Sequence, residues 1–360
     1  MSDDDRVRAF AEQLHSFVAE RLVGAMPEPA VAVDAEGRAI VANKPAFALL
    51  PGLKLGEPLI LALRSPDVID AMRRVLATGE TEMAPWSERV PIERLFEVCV
   101  APLDAAPGGA VAAALLTLRD LTEQRRLERM RVDFIANASH ELRTPLASML
   151  GFIETLQGSA HDDAKARDKF LVIMREQGRR MARLIDDLLS LSRIEQKQHV
   201  RPDAAVDLAQ LARHVADTLA PLAREMGVEI KIDADRPVTV IGDRDELLRV
   251  AENLIENAIK YGARQDGSSA DRVEIAVTRS ASEGSLVVRD FGRGIAPEHL
   301  PRLTERFYRV DLTQSRAKNG TGLGLAIVKH ILTRHRGRLT IASGLDRGST
   351  FTAIVPLHKE

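Results

Sequence analysis

Ser139-His140-Glu141-Leu142-Arg143-Thr144-Pro145-Leu146 sets an imidazole, a carboxylate and a hydroxyl side by side on one stretch of chain. Around it apolar residues recur at Phe134, Ala138, Leu142, Leu146, Met149, Ile153 and Leu156, at spacings of three and four that define one face of an amphipathic helix. At roughly 100° per residue, His140 points about 200° away from Leu142, and Thr144, one turn on, falls within about 40° of His140. The two therefore share a solvated face. Glu141 is adjacent in sequence and within reach of a proton on the imidazole, the geometric requirement for a general base. Pro145 removes one backbone hydrogen bond and predicts a bend just past the histidine. Such a set can accept a phosphoryl group. A single helical histidine is more often a solvated or capping residue, and those at 15, 161, 199, 214, 299, 330, 335 and 358 have no comparable setting.

Working outward, residues 164–196 carry Met174, Met181, Leu184, Leu188 and Leu191 at helical spacing, which predicts a second long helix joined to the first near Gly158 to Asp163. A two-helix hairpin buries only one stripe, so pairing of two copies into a four-helix core is expected, giving a twofold homodimer. Upstream, residues 1–23 read as an entry helix with Val7, Phe10, Leu14, Phe17 and Leu22 on one side. Residues 24–118 alternate short β-like runs (30–33, 39–41, 95–100 and 111–118) with a helical segment near 66–77, a small α/β domain. The hairpin occupies 119–200. From 205 to 360 helices expected at 205–226, 243–262 and 323–335 alternate with strands near 228–233, 237–241, 272–279, 285–289, 337–343 and 349–356, a two-layer α/β sandwich. The fold class expected is a multidomain α+β protein.

Composition narrows the class. A chain of 360 residues with 50 Lys+Arg against 52 Asp+Glu has room for two or three domains and no global attraction to nucleic acid or an anionic surface. The single cysteine, Cys99, excludes an intrachain disulfide framework and argues against cysteine metal sites, which fits a reducing cytoplasm. The longest apolar runs fall well short of the ~20 residues that span a bilayer, and the acidic start resembles no signal peptide. A cytoplasmic location is expected.

Four segments of the last domain look built for a polyphosphate. On the helix from Asp243 to Tyr261, Asn253 and Asn257 lie one turn apart beside the apolar stripe, with Lys260 just beyond. The amide oxygen of Asn257 is a hard neutral ligand suited to Mg2+, and Lys260 offers a point charge; an Asn-rich solvated helix edge is the plainer alternative. Asp290-Phe291-Gly292-Arg293-Gly294-Ile295 follows a strand, allows tight turns and gives Asp290 as an acceptor for an adenine amino group. Gly320-Thr321-Gly322-Leu323-Gly324-Leu325 opens a helix whose free N–H groups favour anions. Glu305-Arg306-Phe307-Tyr308-Arg309 precedes a polar loop, Thr313 to Lys318, that reads as a lid. Gly344 to Phe351 turns into the last strand, with Thr350 placed for a base contact.

The box at 139–146, the Asn box at 253–261, the Gly boxes at 290–294, 320–324 and 344–350 and the Phe box at 305–309 resemble, in order and spacing, the sensor histidine kinases of two-component systems. The resemblance covers roughly 120–360, and 24–118 resembles a PAS sensor domain more loosely. The wording from Asp133 to His140, followed by Gly151 to Leu156, is most similar to the phosphate-regulon sensor kinases. The resemblance implies ATP and Mg2+ as cofactors, and autophosphorylation of His140 with Glu141 orienting it. It also implies transfer to an aspartate of a response regulator receiver domain, and a phosphatase role for Thr144. It further implies a nucleotide site at Asn253, Asn257, Lys260, Tyr261, Asp290, Gly292, Gly294, Ile295, Phe307, Tyr308, Gly320, Thr321, Gly322, Leu323, Gly324, Leu325 and Thr350. By subfamily it points to phosphate-starvation signalling and phosphate-transport regulatory partners. Membrane segments usual ahead of the PAS domain are not in this sequence, so membrane association is expected only through such a segment.

Two rivals fit part of this pattern. A chaperone- or topoisomerase-type ATPase would share the Asn and Gly boxes, but the His140 hairpin has no place in it. A scaffold that binds ATP without histidine phosphotransfer would need no intact phospho-acceptor box. Asp290-Phe291-Gly292 also spells a protein-kinase metal triplet, without the His-Arg-Asp loop that accompanies it in that class.

Overall fold

In the computed structural model, residues 20–88, 94–103, 111–158, 161–197, 199–262, 272–310 and 320–358 are described. The chain divides into two compact units, Met1–Asp133 and Phe134–Glu360. Most of the expected entry helix and the polar loop Thr313 to Lys318 lie outside the described residues; residues 20–25 are helical (α1).

The first unit contains β1 (Ala30–Asp34), β2 (Ala39–Ala42), α2 (Lys44–Leu49), α3 (Pro66–Thr78), β3 (Glu82–Glu88), β4 (Arg94–Pro102) and β5 (Ala113–Asp120). The strands form one antiparallel sheet in the order β2-β1-β5-β4-β3. Strand alternation sends Phe96, Val98 and Val100 of β4 and Ala114, Leu116 and Leu118 of β5 to one face. There they pack with Val68, Ile69, Met72 and Val75 of α3 in one core. Two elements go beyond the sequence expectation. β3 contains Pro85, which a central strand would not tolerate; it is an edge strand, and Trp86 anchors it by stacking on Phe96 at 4.8 Å. The short α2 is held by Asn43, whose buried side-chain oxygen accepts from the N–H of Ala46 (2.9 Å) and of Ala30 (3.0 Å).

α4 (Thr122–Gln157) stays helical through Pro145 and, in the second unit, meets α5 (Ala164–Gln196). Phe152 and Phe170 hold the hairpin with ring centroids 4.9 Å apart. Asp163 caps α5 through the N–H groups of Lys165 and Ala166, both at 3.0 Å. Leu146 of the α4 stripe, and beside the stripes Leu150, Leu171, Ile185 and Leu189, are exposed. Apolar residues at this density on one hairpin are the signature of a face made for another surface.

The rest of the unit contains β6 (Ala205–Asp207), α6 (Leu208–Glu225), β7 (Glu229–Asp233), β8 (Thr239–Ile241), α7 (Arg244–Gly262), β9 (Arg272–Arg279), β10 (Glu283–Asp290), α8 (Gly324–Arg334), β11 (Arg338–Ser343) and β12 (Ser349–Pro356). The sheet order is β11-β12-β10-β9-β7, with β7 and β9 parallel and the other pairs antiparallel. Helices α6, α7 and α8 bring Leu211, Val215, Leu254, Ile255, Ile327 and Ile331 into one core with Ile275, Leu286, Val288 and Phe351. This is the two-layer sandwich expected. The expected helix 205–226 starts later, because Ala205–Asp207 pairs with β8. Asp207 then caps α6 by accepting from the Ala209 N–H at 2.9 Å.

Candidate active site

A cavity of about 660 Å³ opens on the second unit between α7, the loop after β10, the loop before α8 and a segment of α5. α7 makes one wall because its core stripe, Leu247, Ala251, Leu254 and Ala258, turns Asn253, Asn257, Lys260 and Tyr261 to the other side. Asn253 donates its amide N–H to the Arg249 carbonyl at 2.8 Å. Lys260 pairs with Glu256 at 2.6 Å. The Asn257 amide has no protein partner among the described residues and is free for a ligand. Glu252 lies on the same wall with its carboxyl above the ordinary range, chiefly because it is half-buried; the Arg249 guanidinium opposes the rise and the neighbouring Glu256 adds to it.

Asp290 ends β10 almost wholly buried, and burial pushes its carboxyl up while backbone N–H groups oppose the rise. Both Gly292 N–H (3.0 Å) and Ser349 N–H (3.2 Å) donate to Oδ1, and the Ser349 hydroxyl also bonds the carboxyl, which lines the cavity. Gly294 needs to be glycine twice over: its φ is +67°, and a Cβ there would run into the Gly344 carbonyl. That close approach locks the first and third Gly segments together. The second, Gly320 to Leu325, leads into α8, whose first N–H groups have no intrahelical partner and no side-chain cap. Gly320, Thr321, Gly322 and Gly324 line the cavity at this end, where unpaired backbone N–H groups favour an anion.

Most expected site residues meet at this cavity: Asn253, Asn257, Lys260, Tyr261, Asp290, Gly294, Ile295, Tyr308, Gly320, Thr321, Gly322, Gly324 and Leu325 line it. Four do not. Thr350 is corrected to the opposite face of β12, because strand parity turns its neighbours Ser349 and Phe351 to the cavity. Leu323 is fully buried in the core, and Gly292 shapes the turn beneath Tyr261 without lining the cavity. Phe307 leaves the cavity and packs on Phe134 of α4, ring centroids 5.8 Å apart.

His140 and Thr144 are exposed on α4, with the Thr144 hydroxyl donating to the His140 carbonyl at 3.2 Å, and neither lines the cavity. Glu141 is not free beside the imidazole. Its Oε2 accepts from Arg180 of α5 at 3.1 Å and from Arg309 at 2.9 Å, and the Arg309 side chain is almost wholly buried. Two more hairpin carboxylates hold the lobe that carries the cavity: Asp187 takes Arg249 and Thr321, each at 2.8 Å, and Glu195 pairs with Arg306. Arg183, Asp186, Asp187 and Arg249 belong to none of the sequence motifs, although all four line the cavity; Arg309, from the 305–309 box, lines it too. Their only sequence signal is the acidic pair 186–187 set between Leu184 and Leu188; the partners lie far apart along the chain.

Three family models match in chain order. "PAS fold" covers residues 23–126, "His Kinase A (phospho-acceptor) domain" covers 130–197, and "Histidine kinase-, DNA gyrase B-, and HSP90-like ATPase" covers 242–359. Among curated proteins, the chain is similar to the phosphate regulon sensor protein PhoR of Pseudomonas aeruginosa, 42% identical over 240 residues (66% of this chain, 53% of that one). It is also similar to the sensor protein SrrB of Staphylococcus aureus, 28% identical over 339 residues (94% of this chain, 56% of that one). The chain thus spans about half the length of these relatives. Among solved structures, the histidine kinase AdeS of Acinetobacter baumannii matches at 26% identity and a TM-score of 0.47, over 61% of this chain and 98% of that one. Histidine kinase ThkA, in complex with response regulator protein TrrA, matches at 21% and 0.48, over 94% and 98%. With a PAS fold, a phospho-acceptor hairpin around His140 and an ATPase lobe around the Asn257 cavity in one order, the chain belongs to the two-component sensor histidine kinases.

Proposed function

We propose that the chain autophosphorylates on His140 with ATP and passes the phosphoryl group to an aspartate of a response regulator. The carrying observation is an exposed helical imidazole in the same compact unit as a cavity lined by a buried carboxylate and by the Gly segment that opens a helix with free N–H groups. Asp290 reads the adenine amino group, and the Gly320 to Leu325 segment with the start of α8 takes the phosphates. One neutral imidazole nitrogen attacks the γ-phosphorus; the bond to the β-phosphate oxygen breaks and ADP leaves. Positioning and charge neutralisation do most of the catalysis in such transfers. The donor set fits Mg2+: the unpartnered Asn257 oxygen lies on the wall, and the described residues include no cluster of three acidic, His or Cys ligands, as suits an ion that keeps phosphate oxygens and waters. Such an ion supplies charge neutralisation on the phosphates.

In the arrangement described, His140 is away from the cavity and Glu141 is clamped by Arg309. Transfer therefore requires the lobe to leave its own hairpin, breaking the Glu141, Asp187 and Glu195 contacts. The same docked arrangement, with Thr144 exposed, suits the opposite activity, dephosphorylation of the regulator. The exposed apolar residues of the hairpin support a homodimer. Likeness to a phosphate regulon sensor supports phosphate-starvation signalling, with phosphate-transport regulatory proteins as partners. Among the described residues no helix is long and apolar enough to cross a membrane.

The test is His140→Gln incubated with ATP labelled at the γ-position. Nucleotide binding should persist while acid-labile label disappears. Label retained at wild-type level would show that another residue is the acceptor, and ATP turnover without any protein label in the wild type would favour a plain ATPase.

A further inference from the structure

We infer that Asp187 makes the docked nucleotide cavity selective for a diphosphate over a triphosphate, so that ATP is held well only when the lobe has left its own hairpin. The inference rests on the nucleotide reading of the cavity and concerns a residue of the hairpin, outside the Asn and Gly segments. Three observations carry it. First, α5 supplies part of the wall: Arg183, Asp186 and Asp187 line the cavity together with Gly320, Thr321 and Gly322 at its phosphate end. Second, Asp187 already occupies two groups that a terminal phosphate would recruit. The Thr321 hydroxyl donates to Oδ2 at 2.8 Å and the Arg249 guanidinium to Oδ1 at 2.8 Å. Third, Asp187 is only 20% exposed, so its charge is poorly screened by water.

A γ-phosphoryl group brings further negative charge toward this carboxylate pair and must either displace Asp187 from Thr321 or stay short of the loop. A diphosphate ends before that conflict. Arg183, one turn ahead of Asp187, makes no ion pair among the described residues and is the cation available to it. ADP is therefore compatible with docking, and ATP opposes it. By linkage, whatever ATP gains on undocking is the same free energy by which docking weakens ATP. The cavity would thus couple nucleotide state to the position of the lobe through one side chain.

The experiment measures binding of ADP and of the non-hydrolysable analogue AMPPNP, each with Mg2+, to the full chain by calorimetry. For Asp187→Asn, which keeps the shape and the acceptor for Thr321 but removes the charge, AMPPNP should tighten about tenfold while ADP stays within about twofold. Asp187→Glu, which restores the charge, should keep the wild-type ratio of the two affinities. An equal shift for both nucleotides, or none, would make Asp187 a purely structural contact and overturn the assignment. Weaker AMPPNP binding in Asp187→Asn would make it a ligand of the metal and overturn it too. If the wild type binds neither nucleotide, the reading of the cavity itself fails; a bound pair with an unchanged ratio sinks only the role of Asp187.

Discussion

At the scale of single residues, the position of Glu141 separates what the sequence could say from what only the fold could. Its neighbour relation to His140 is legible along the chain, but its partners Arg180 and Arg309 are 39 and 168 residues away and carry no periodic signal. Charged hydrogen bonds of this kind are worth about 1.5–3 kcal/mol each. Arg309→Gln should therefore loosen docking and raise the initial rate of His140 phosphorylation about tenfold at saturating ATP; an unchanged or lower rate would show that the clamp does not limit transfer. Gly294→Ala forces a side chain against the Gly344 carbonyl at a φ of +67°. It should abolish ADP binding while the circular dichroism of the chain stays helical, and normal binding would contradict the proposed interlock of the two Gly segments. Thr350 shows the limit of motif reading: one step of strand parity along β12 gives the cavity wall to Ser349 and Phe351 instead.

At the scale of elements, the long stripes were readable because the helices are long and their apolar spacing regular. α5 spans Ala164–Gln196 as expected, and α7 and α8 start within a residue of their expected positions. β3 escaped notice because Pro85 interrupts its alternation, and α2 because six residues are too few for a period to show. The docking carboxylates escaped because an acidic residue on an exposed helix face is ordinarily just solvated. The exposed apolar residues of the hairpin make their own prediction. Burying a leucine stabilises by about 1.5–3 kcal/mol, and each residue counts once per protomer in a twofold bundle. Replacing Leu150 and Leu189 together with Glu should convert a dimer to a monomer in sedimentation velocity; an unchanged sedimentation coefficient would place the dimer contact elsewhere.

At the scale of the whole molecule, one buried imidazole ties the nucleotide lobe to pH. His335 is almost fully buried at the end of α8, and burial holds its pKa below the ordinary value against the opposing Ile331 carbonyl and the Glu246 and Asp243 carboxylates, with the neighbouring Arg334 charge adding to the lowering. Its ring accepts the Asp243 N–H on Nε2 at 3.0 Å while Nδ1 donates to the Ile331 carbonyl at 2.8 Å, an arrangement only the neutral form can make. The unfolded chain binds a proton at this site before the folded one does. Stability is thus complete above about pH 6.5 and is lost as pH falls through the lowered folded value. Thermal melting of the wild type should show a drop below about pH 6.5 that His335→Gln shows much less; equal pH profiles would remove His335 as the cause.

All scales meet in one claim, that the hairpin imidazole is the atom group receiving phosphate from the nucleotide lobe. Alkaline digestion and mass mapping of the chain after brief incubation with Mg2+ and ATP tests it most directly. The account predicts a single phosphoryl group on the peptide containing His140, lost on mild acid treatment; an acid-stable phosphate on Ser139 or Thr144, or an unmodified peptide beside consumed ATP, contradicts it.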